Sequence, residues 1–394
     1  MVMDLNKVSR SRRYKLTGSL RKNGFDRWRI STSAISSVTG EECTFFFEFY
    51  IVNPALSPDK VLLGFKSRLP KTDLDLQYAL AGTESEKSIL AEEFVQPSFI
   101  MVKAGKLSTH GKQLNAYFPC ASIVSGTPEY IVKTGTDEEN TCYIKSNATV
   151  GSISVSGAEL LEHPEILGDS GSIVWNLHFS VEDSFCPDYR SKQTKWACLG
   201  ARTSISGVIV MDGEQFNVSK DRSYGYFDKN WGKCFTNPFL HLSSSNLVSN
   251  ISGQKLLNSC FAIQGEYNNR LCILTSIEGK KLDFHAGSHK KYSTIYECTQ
   301  MPEDGDGIKL HWSVSMNNRK YVIDVDIVCK AEQMFVRDYE TPEGNRKVLK
   351  LIGGGSGTGE IKIYRRVKKD LELLEDVHVG NCLCEFGNIE SAPK

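Results

Sequence analysis

The sequence lacks any long apolar run, and a helix that spans a membrane needs roughly 18 or more consecutive apolar residues. Its opening stretch, MVMDLNKVSRSRRYK, also lacks the apolar segment of a secretory signal peptide. An excess of charge of one sign is missing as well, because 47 Lys and Arg residues balance 47 Asp and Glu residues. Without a broad basic field, nucleic-acid binding is disfavoured. We therefore expect a cytoplasmic protein that binds no nucleic acid.

Sequence patterns for common cofactors and metals are absent too. No Gly-x-Gly-x-x-Gly unit follows a strand and precedes a helix, which argues against a Rossmann-bound flavin or nicotinamide. The 12 cysteines have no zinc-ribbon or redox spacing, so we expect reduced thiols. His285 and His289 are four residues apart, but turn-forming residues around them argue against a metal-binding helix. We expect neither cofactor nor metal.

The amino-terminal arm is basic. Seven basic residues stand against the single acid Asp4: Lys7, Arg10, Arg12, Arg13, Lys15, Arg21 and Lys22. Such an arm is either solvated or in peripheral contact with an anionic membrane, where each basic residue contributes about 1 kcal/mol. The sequence does not indicate an oligomeric state.

The pattern along the chain predicts an all-β protein with few short helices. Runs rich in β-branched and aromatic residues alternate with turn signals such as Asp212-Gly213 and Glu278-Gly279. Since 394 residues exceed what one core usually serves, we expect two antiparallel β-barrel or sandwich domains, 1–232 and 233–394. A helix is predicted over 85–94 (SEKSILAEEF), and 353–359 (GGGSGTG) is predicted to be a flexible hairpin connection.

One short motif suggests a hydrolase. Residues 168–172 (GDSGS) match the nucleophile segment of chymotrypsin-like serine proteases, in which a histidine activates the serine. The upstream histidines, His110 and His163, do not lie in the sequence context of that family. A serine hydrolase acting through Ser170 is therefore a minor alternative.

The densest chemistry lies in 223–232 (SYGYFDKNWG) and 239–246 (FLHLSSSN). Burial of Asp228 would raise its pKa unless Lys229 or another cation compensates, so the segment could keep a proton donor at neutral pH. The same residues could instead form a polar plug between domains, with Trp231 as an apolar wedge. Chemistry alone leaves both interpretations open.

Several segments resemble the tocopherol cyclase-like family, relatives of carotenoid hydratases and fungal Diels–Alderases. The main one is 223–232, which is similar to that family's Asp/Glu-Lys-Asn-Trp-Gly motif. Similar segments are 45–54 (FFFEFYIVNP), 168–175 (GDSGSIVW) and 357–364 (GTGEIKIY). The resemblance implies two lipocalin-like domains, and it looks closest to bacterial proteins labelled linoleate isomerase.

That resemblance implies proton transfer at carbon–carbon double bonds of a long apolar lipid, such as a polyunsaturated fatty acid, in a cleft between the domains. A cyclase or hydratase of a prenylated substrate and a non-catalytic lipid-binding protein are the alternatives. The expected donor is Asp228 or a neighbouring tyrosine. The catalytic candidates are Asp228, Tyr224, Tyr226, Lys229 and His241. The substrate-binding candidates are Trp231, Asn230, Glu48, Tyr50, Asp169, Trp175 and Asn246.

Overall fold

Strands make up most of the computed structural model, which describes residues 12–64, 96–135, 141–162, 167–185, 193–266, 270–285, 293–345 and 347–391. Helices in these ranges are short: α1 (Gly157–Glu162) and the 3₁₀ turns Gly18–Arg21, Cys120–Ser122, Lys220–Arg222 and Ala331–Gln333. None of the described helices is long and apolar enough to cross a membrane. The helix predicted over 85–94 lies outside the described residues.

The first domain is one antiparallel sheet in the order β4-β3-β2-β1-β11-β10-β9-β8-β7-β6-β5, with β12 pairing both β1 and β10. An isolated bridge between Leu114 and Gly168 joins β4 to the segment before β9. Its strands are β1 (Phe25–Ser36), β2 (Glu42–Val52), β3 (Phe99–Leu107), β4 (Lys112–Phe118), β5 (Val124–Ser125), β6 (Val132–Thr134), β7 (Cys142–Ile144), β8 (Ala148–Val155), β9 (Gly171–Phe185), β10 (Thr194–Met211), β11 (Glu214–Val218) and β12 (Gly225–Gly232).

The second domain is also antiparallel, in the order β17-β16-β15-β13-β23-β22-β20-β19-β18, with β14 on β23 and β21 on β22. Its strands are β13 (Phe239–Ser244), β14 (Asn246–Ser249), β15 (Cys260–Glu266), β16 (Arg270–Ile277), β17 (Lys280–His285), β18 (Ser293–Gln300), β19 (Lys309–Asn317), β20 (Tyr321–Lys330), β21 (Met334–Glu340), β22 (Lys347–Val367) and β23 (Asp370–Ser391). The prediction of an all-β protein with two lipocalin-like domains is confirmed.

Tight turns form where the sequence predicts them. Asp212 (φ 51°) and Gly213 (φ 84°) both adopt positive φ between β10 and β11, as a two-residue hairpin turn requires. Glu278 and Gly279 do the same between β16 and β17.

Each domain has its own core, and the two domains share an apolar boundary. The first core contains Trp28, Phe47 and Trp175, and the second contains Trp312 and Ile361. Between the sheets lie two buried apolar clusters. One includes Phe46, Trp196, Tyr226 and Leu383, and the other includes Phe25, Tyr50, Phe235 and Leu349.

The predicted hairpin connection at 353–359 is wrong, because these residues lie inside β22. Their glycines let other groups approach the strand closely. A Cβ on Gly355 would lie 2.4 Å from Thr44 of the first domain, whose hydroxyl donates a hydrogen bond of 2.9 Å to the Gly355 carbonyl. A Cβ on Gly359 would lie 1.9 Å from the Asp326 carbonyl oxygen. The bare backbone thus serves packing against β20 and against the first domain.

Candidate functional site

One face of strand β12 packs against the second domain, and the other packs into the core of the first domain. Every residue of this strand is buried, because β1 and β10 flank it and each domain covers one face. Since side chains alternate along a strand, Tyr226, Asp228 and Asn230 face the second domain. Phe227 and Trp231, by the same alternation, pack into the first core.

A chain of buried ion pairs starts on the first-domain side of this junction. Glu48 of β2 accepts hydrogen bonds from Arg27 (2.5 Å), from Arg337 of the second domain (3.1 Å) and from the Tyr339 hydroxyl. The side chains of Glu48, Arg27 and Arg337 are fully buried. Glu48 therefore joins one cation of its own domain to one of the other.

The chain continues through Glu385 of β23. Arg337 and Arg29 each donate to a different oxygen of this carboxylate, and all three side chains are fully buried. Arg29 lies on β1, so Glu385 again bridges the two domains. We call Arg27, Glu48, Arg337, Glu385, Arg29 and Asp228 the junction network.

Asp228 ends the junction network as a hydrogen-bond acceptor. Arg29 approaches it with two nitrogens, at 3.2 Å and 2.8 Å. The Trp196 indole and the Tyr226 hydroxyl each donate to its Oδ2 at 3.1 Å. All of these groups are donors, so the two Asp228 oxygens act as acceptors and Oδ2 holds the Tyr226 hydroxyl in place.

Charge is balanced within the junction network, which contains three arginines and three acids. Burial alone would raise the pKa of Glu48, but Arg27 and Arg337 hold it below the ordinary value. Burial is likewise outweighed at Glu385, where Arg29 and Arg337 hold the pKa well below the ordinary value. Paired in this way, buried carboxylates stay charged.

His241 and Tyr226 form the titratable pair next to the network. Their rings lie 5.1 Å apart, and His241 Nε2 shares a hydrogen bond of 2.9 Å with the Ser243 hydroxyl. Burial, assisted by Arg29, lowers the pKa of His241 well below its ordinary value, so the ring is neutral. Burial, assisted by Asp228, raises the pKa of Tyr226. A neutral imidazole therefore lies beside a phenol that retains its proton.

A narrow crevice between the domains reaches Tyr226, and Ser243 in its wall connects it to the buried His241. Its volume is about 10 Å³, which is close to the minimum for one water molecule. Tyr226 and Ser243 lie in its wall, and seven serine and threonine residues contribute to the lining: Ser31, Thr32, Ser33, Thr44, Ser243, Ser244 and Ser245. A neighbouring hollow of about 80 Å³ shares Tyr224 and Ser245 with the crevice.

Lys229 does not compensate Asp228, so that part of the expectation is wrong. Neighbouring residues of a strand point to opposite faces, and Lys229 pairs with Asp26 at 2.9 Å inside the first domain. Its ammonium also donates to the Arg13 carbonyl at 2.6 Å and lies 3.8 Å from the centre of the Trp28 ring. Trp231 shares this side, so neither residue faces the junction.

Of the other candidates, the structure brings Asn230 and Tyr50 to the junction. Asn230 accepts a hydrogen bond from Gln264 of the second domain, and the Tyr50 hydroxyl donates to the Glu340 carbonyl at 2.5 Å. Tyr224 lies at the rim of the crevice, where its hydroxyl is 3.1 Å from Lys255.

Three candidates lie away from the crevice. The Trp175 indole donates to Thr149 at 3.1 Å within the first core. Asp169 accepts a hydrogen bond of 2.9 Å from the Gln113 amide, beside the bridge between Leu114 and Gly168. Both were expected to face a shared cleft, and the fold places them elsewhere. The Asn246 side-chain amide donates a hydrogen bond of 2.6 Å to Asn381, which lines the crevice, but Asn246 itself does not line it.

Four network residues were missed by the sequence reasoning: Arg27, Arg29, Arg337 and Glu385. Each is a charged residue within a run of strand-forming residues, as in FDRWRI and CLCEFG. A charge at such a position must be paired when it is buried, so this pattern could have identified them. The pairings that join the two domains, however, are distant along the chain, since Arg29 and Glu385 are 356 residues apart.

Within the described ranges, no group of three or more His, Cys, Asp or Glu residues is arranged to hold a metal ion. His289 lies outside those ranges. The arrangement at the junction can hold and transfer protons through its own side chains.

Two solved structures align with most of the chain. A protein of Nitrosomonas europaea provisionally called AttH aligns over 91% of this chain and 92% of its own, with 10% identity and a TM-score of 0.43. Kievitone hydratase from Nectria haematococca aligns over 94% of this chain and 93% of its own, with 10% identity and a TM-score of 0.41. No protein-family model matches the sequence, and no curated protein does. Similarity at this level indicates no substrate or reaction for this chain.

Proposed function

We propose that this chain is an enzyme that moves protons at a carbon–carbon double bond of a long apolar lipid, at the junction between its two domains. Isomerisation of a methylene-interrupted diene is the first candidate reaction. It requires removal of a proton from the carbon between the double bonds and return of a proton at one end of the pentadienyl system. The reaction is redox-neutral, so an acid and a base are its minimum machinery.

The observation that carries the proposal is the pair of Tyr226 and His241 beside the crevice. His241 is the proposed base, and its hydrogen bond to Ser243 links it to the crevice wall. Tyr226, held by Asp228, is the matching donor. Tyr226 belongs to an apolar cluster that includes Trp196, whose ring lies 6.3 Å from that of His241, and apolar surroundings favour proton transfer over exchange with solvent.

Hydration of a double bond is the second candidate. The crevice is lined by hydroxyl groups and has about the volume of one water molecule. A water held there would lie beside the same acid and base. The proposed roles of Tyr226 and His241 are unchanged, but water, rather than a carbon-bound proton, is the group that is activated.

A long substrate requires the crevice to widen. The adjoining hollow of about 80 Å³ marks the route, since it meets the crevice at Tyr224 and Ser245. The contact between Tyr224 and Lys255 lies at this rim and is partly exposed, so its separation exposes little buried surface.

Incubation with linoleate and with prenylated phenols in deuterated water, followed by mass spectrometry, tests the proposal. Deuterium incorporation without oxidation indicates isomerisation, and a mass gain equal to water indicates hydration. Saturable lipid binding without any product would support a non-catalytic lipid-binding protein, and a polar plug would give neither binding nor product.

The Tyr226→Phe variant tests the assignment of the acid. We expect turnover to fall by about 10²- to 10⁴-fold, because the phenolic proton is lost while the ring still fills its place. Tyr143→Phe is the matched control, since Tyr143 is a partly buried tyrosine of β7 whose ring meets that of Tyr130 edge to face. Equal turnover in Tyr226→Phe and Tyr143→Phe would remove Tyr226 from the mechanism.

A further inference from the structure

The second sheet has an opening at one end that the junction site does not use. Within the described residues, β17 pairs with β16 alone and β18 pairs with β19 alone, so these two strands are the ends of the sheet. A cavity of about 400 Å³ lies between β17 and the turn that joins β19 to β20. Ligand cavities commonly measure about 300–1,000 Å³.

The cavity has an apolar floor. Leu282 and Phe284 of β17 and Tyr321 of β20 line it, and all three pack onto the second core. The rings of Phe284 and Tyr321 meet edge to face with centroids 6.5 Å apart. An apolar chain entering here would continue the core outwards and lose its contact with water.

The rim of the cavity is basic. Arg319 and Lys320 of the turn are exposed and line the opening, and the lining contains the acid Asp283. Lys281 of β17 also lines the cavity, so its lining contains three cations and one acid. This local excess of cations occurs in a chain whose formal net charge is zero.

We propose that this cavity binds an amphipathic anion, with its acyl chain on Leu282, Phe284 and Tyr321 and its acidic head group on Arg319 and Lys320. The guanidinium of Arg319 suits a carboxylate or a phosphate, because its nitrogens can donate to two oxygens at once. A free fatty acid and an acidic membrane lipid share this chemistry. The site is separate from the junction and does not depend on catalysis there.

Calorimetric titration of the full-length protein with monomeric oleate tests the proposal. Wild type should show a saturable oleate site, and the double variant Arg319→Glu/Lys320→Glu should weaken binding at that site by about tenfold or more, since two attractions become repulsions. The control is Arg21→Glu/Lys22→Glu, which makes the same change of charge at two exposed residues of the first domain. That control, and Tyr226→Phe at the junction, should bind oleate as wild type does.

Absence of saturable binding, or equal affinity in Arg319→Glu/Lys320→Glu and wild type, would overturn the cavity site. Sedimentation with phosphatidylcholine vesicles, with and without phosphatidylserine, distinguishes the two sources of ligand. Loss of oleate binding in the double variant without any effect on vesicle binding indicates the free acid, and parallel losses indicate that both are ligands. If the double variant lost vesicle binding but kept oleate binding, the two basic residues would only attract the protein to an anionic surface. That result would contradict the cavity site.

Discussion

The two faces of β12 bury charge in different ways. On the junction face, Asp228 belongs to a network of three arginines and three acids, and the Glu48 and Glu385 carboxylates have lowered pKa values. On the first-domain face, Lys229 and Asp26 form a single buried pair. There burial outweighs attraction, raising the pKa of Asp26 to about 6 and lowering that of Lys229 to about 8.

The difference shows that the number of oppositely charged partners decides whether the pKa of a buried carboxyl group is lowered or raised. Glu385 has two arginines on its two oxygens, whereas Asp26 has one ammonium and the Lys15 amide at 2.8 Å. Several oppositely charged neighbours can replace the stabilisation that a charge loses when it is removed from water. A single ion pair replaces only part of it. The junction should therefore be sensitive to a lost charge, and the pair of Asp26 and Lys229 should be sensitive to pH.

The largest expected effect is on the junction network. Glu385→Gln removes the acid between Arg29 and Arg337 and leaves an uncompensated buried cation, so the free energy of unfolding should fall by about 3–5 kcal/mol. Glu390→Gln is the matched control, because Glu390 is an exposed residue of the same strand that lies 3.6 Å from Lys350. Denaturant titration measures both variants. A loss for Glu385→Gln no larger than that for Glu390→Gln would contradict this account of the network.

A smaller effect is expected on the other face. Lys229→Met leaves Asp26 buried alone, but the pKa of Asp26 is already raised, so the carboxyl can neutralise itself by binding a proton. The loss at pH 7 should be about 2 kcal/mol and should shrink at pH 5. The loss in Glu385→Gln should persist at pH 5, since Glu48 and Glu385 contribute stability that is lost only as the pH falls below their ordinary pKa. Equal pH dependence in the two variants would refute the comparison.

The smallest effect is the pH response of Asp26 itself. Its pKa rises from 3.8 in the unfolded chain to about 6, so the folded protein binds the proton more tightly. The resulting stability is complete below the unfolded value and disappears as the pH rises through 6. Between pH 7 and pH 5, wild type should therefore gain about 1 kcal/mol relative to Asp26→Asn. Unfolding curves of both proteins over this range measure the gain, and parallel curves would exclude Asp26 as its source.

Local sequence patterns predicted the fold class because strands and hairpin turns are local features. Asp212-Gly213 and Glu278-Gly279 take the backbone angles that their residue types favour. The glycines at 353–359 misled the prediction, since their role depends on Thr44 and Asp326, which are distant in sequence. Composition alone cannot distinguish a flexible glycine segment from a strand whose glycines allow other groups to approach its backbone closely.

The site could be predicted only in part for a related reason. Strand alternation places Tyr226, Asp228 and Asn230 on one face, and that much follows from the motif. Sequence adjacency suggested Lys229 as the partner of Asp228, whereas the partner is Arg29, 199 residues away. The bond between Arg29 and Glu385 spans 356 residues, and no local pattern indicates a pairing of that length.

The distance between Arg29 and Glu385 also has a consequence for synthesis. A ribosome adds about 5–20 residues per second, so strands β1 to β12 emerge many seconds before β23 is made. During that interval Arg29 can pair with Asp228 but not with Glu385. Glu48 can pair with Arg27 but not with Arg337. Until then, the junction face of the first domain exposes these charges, together with Phe46 and Phe25, to water. The last strands bury this face when they pack against it.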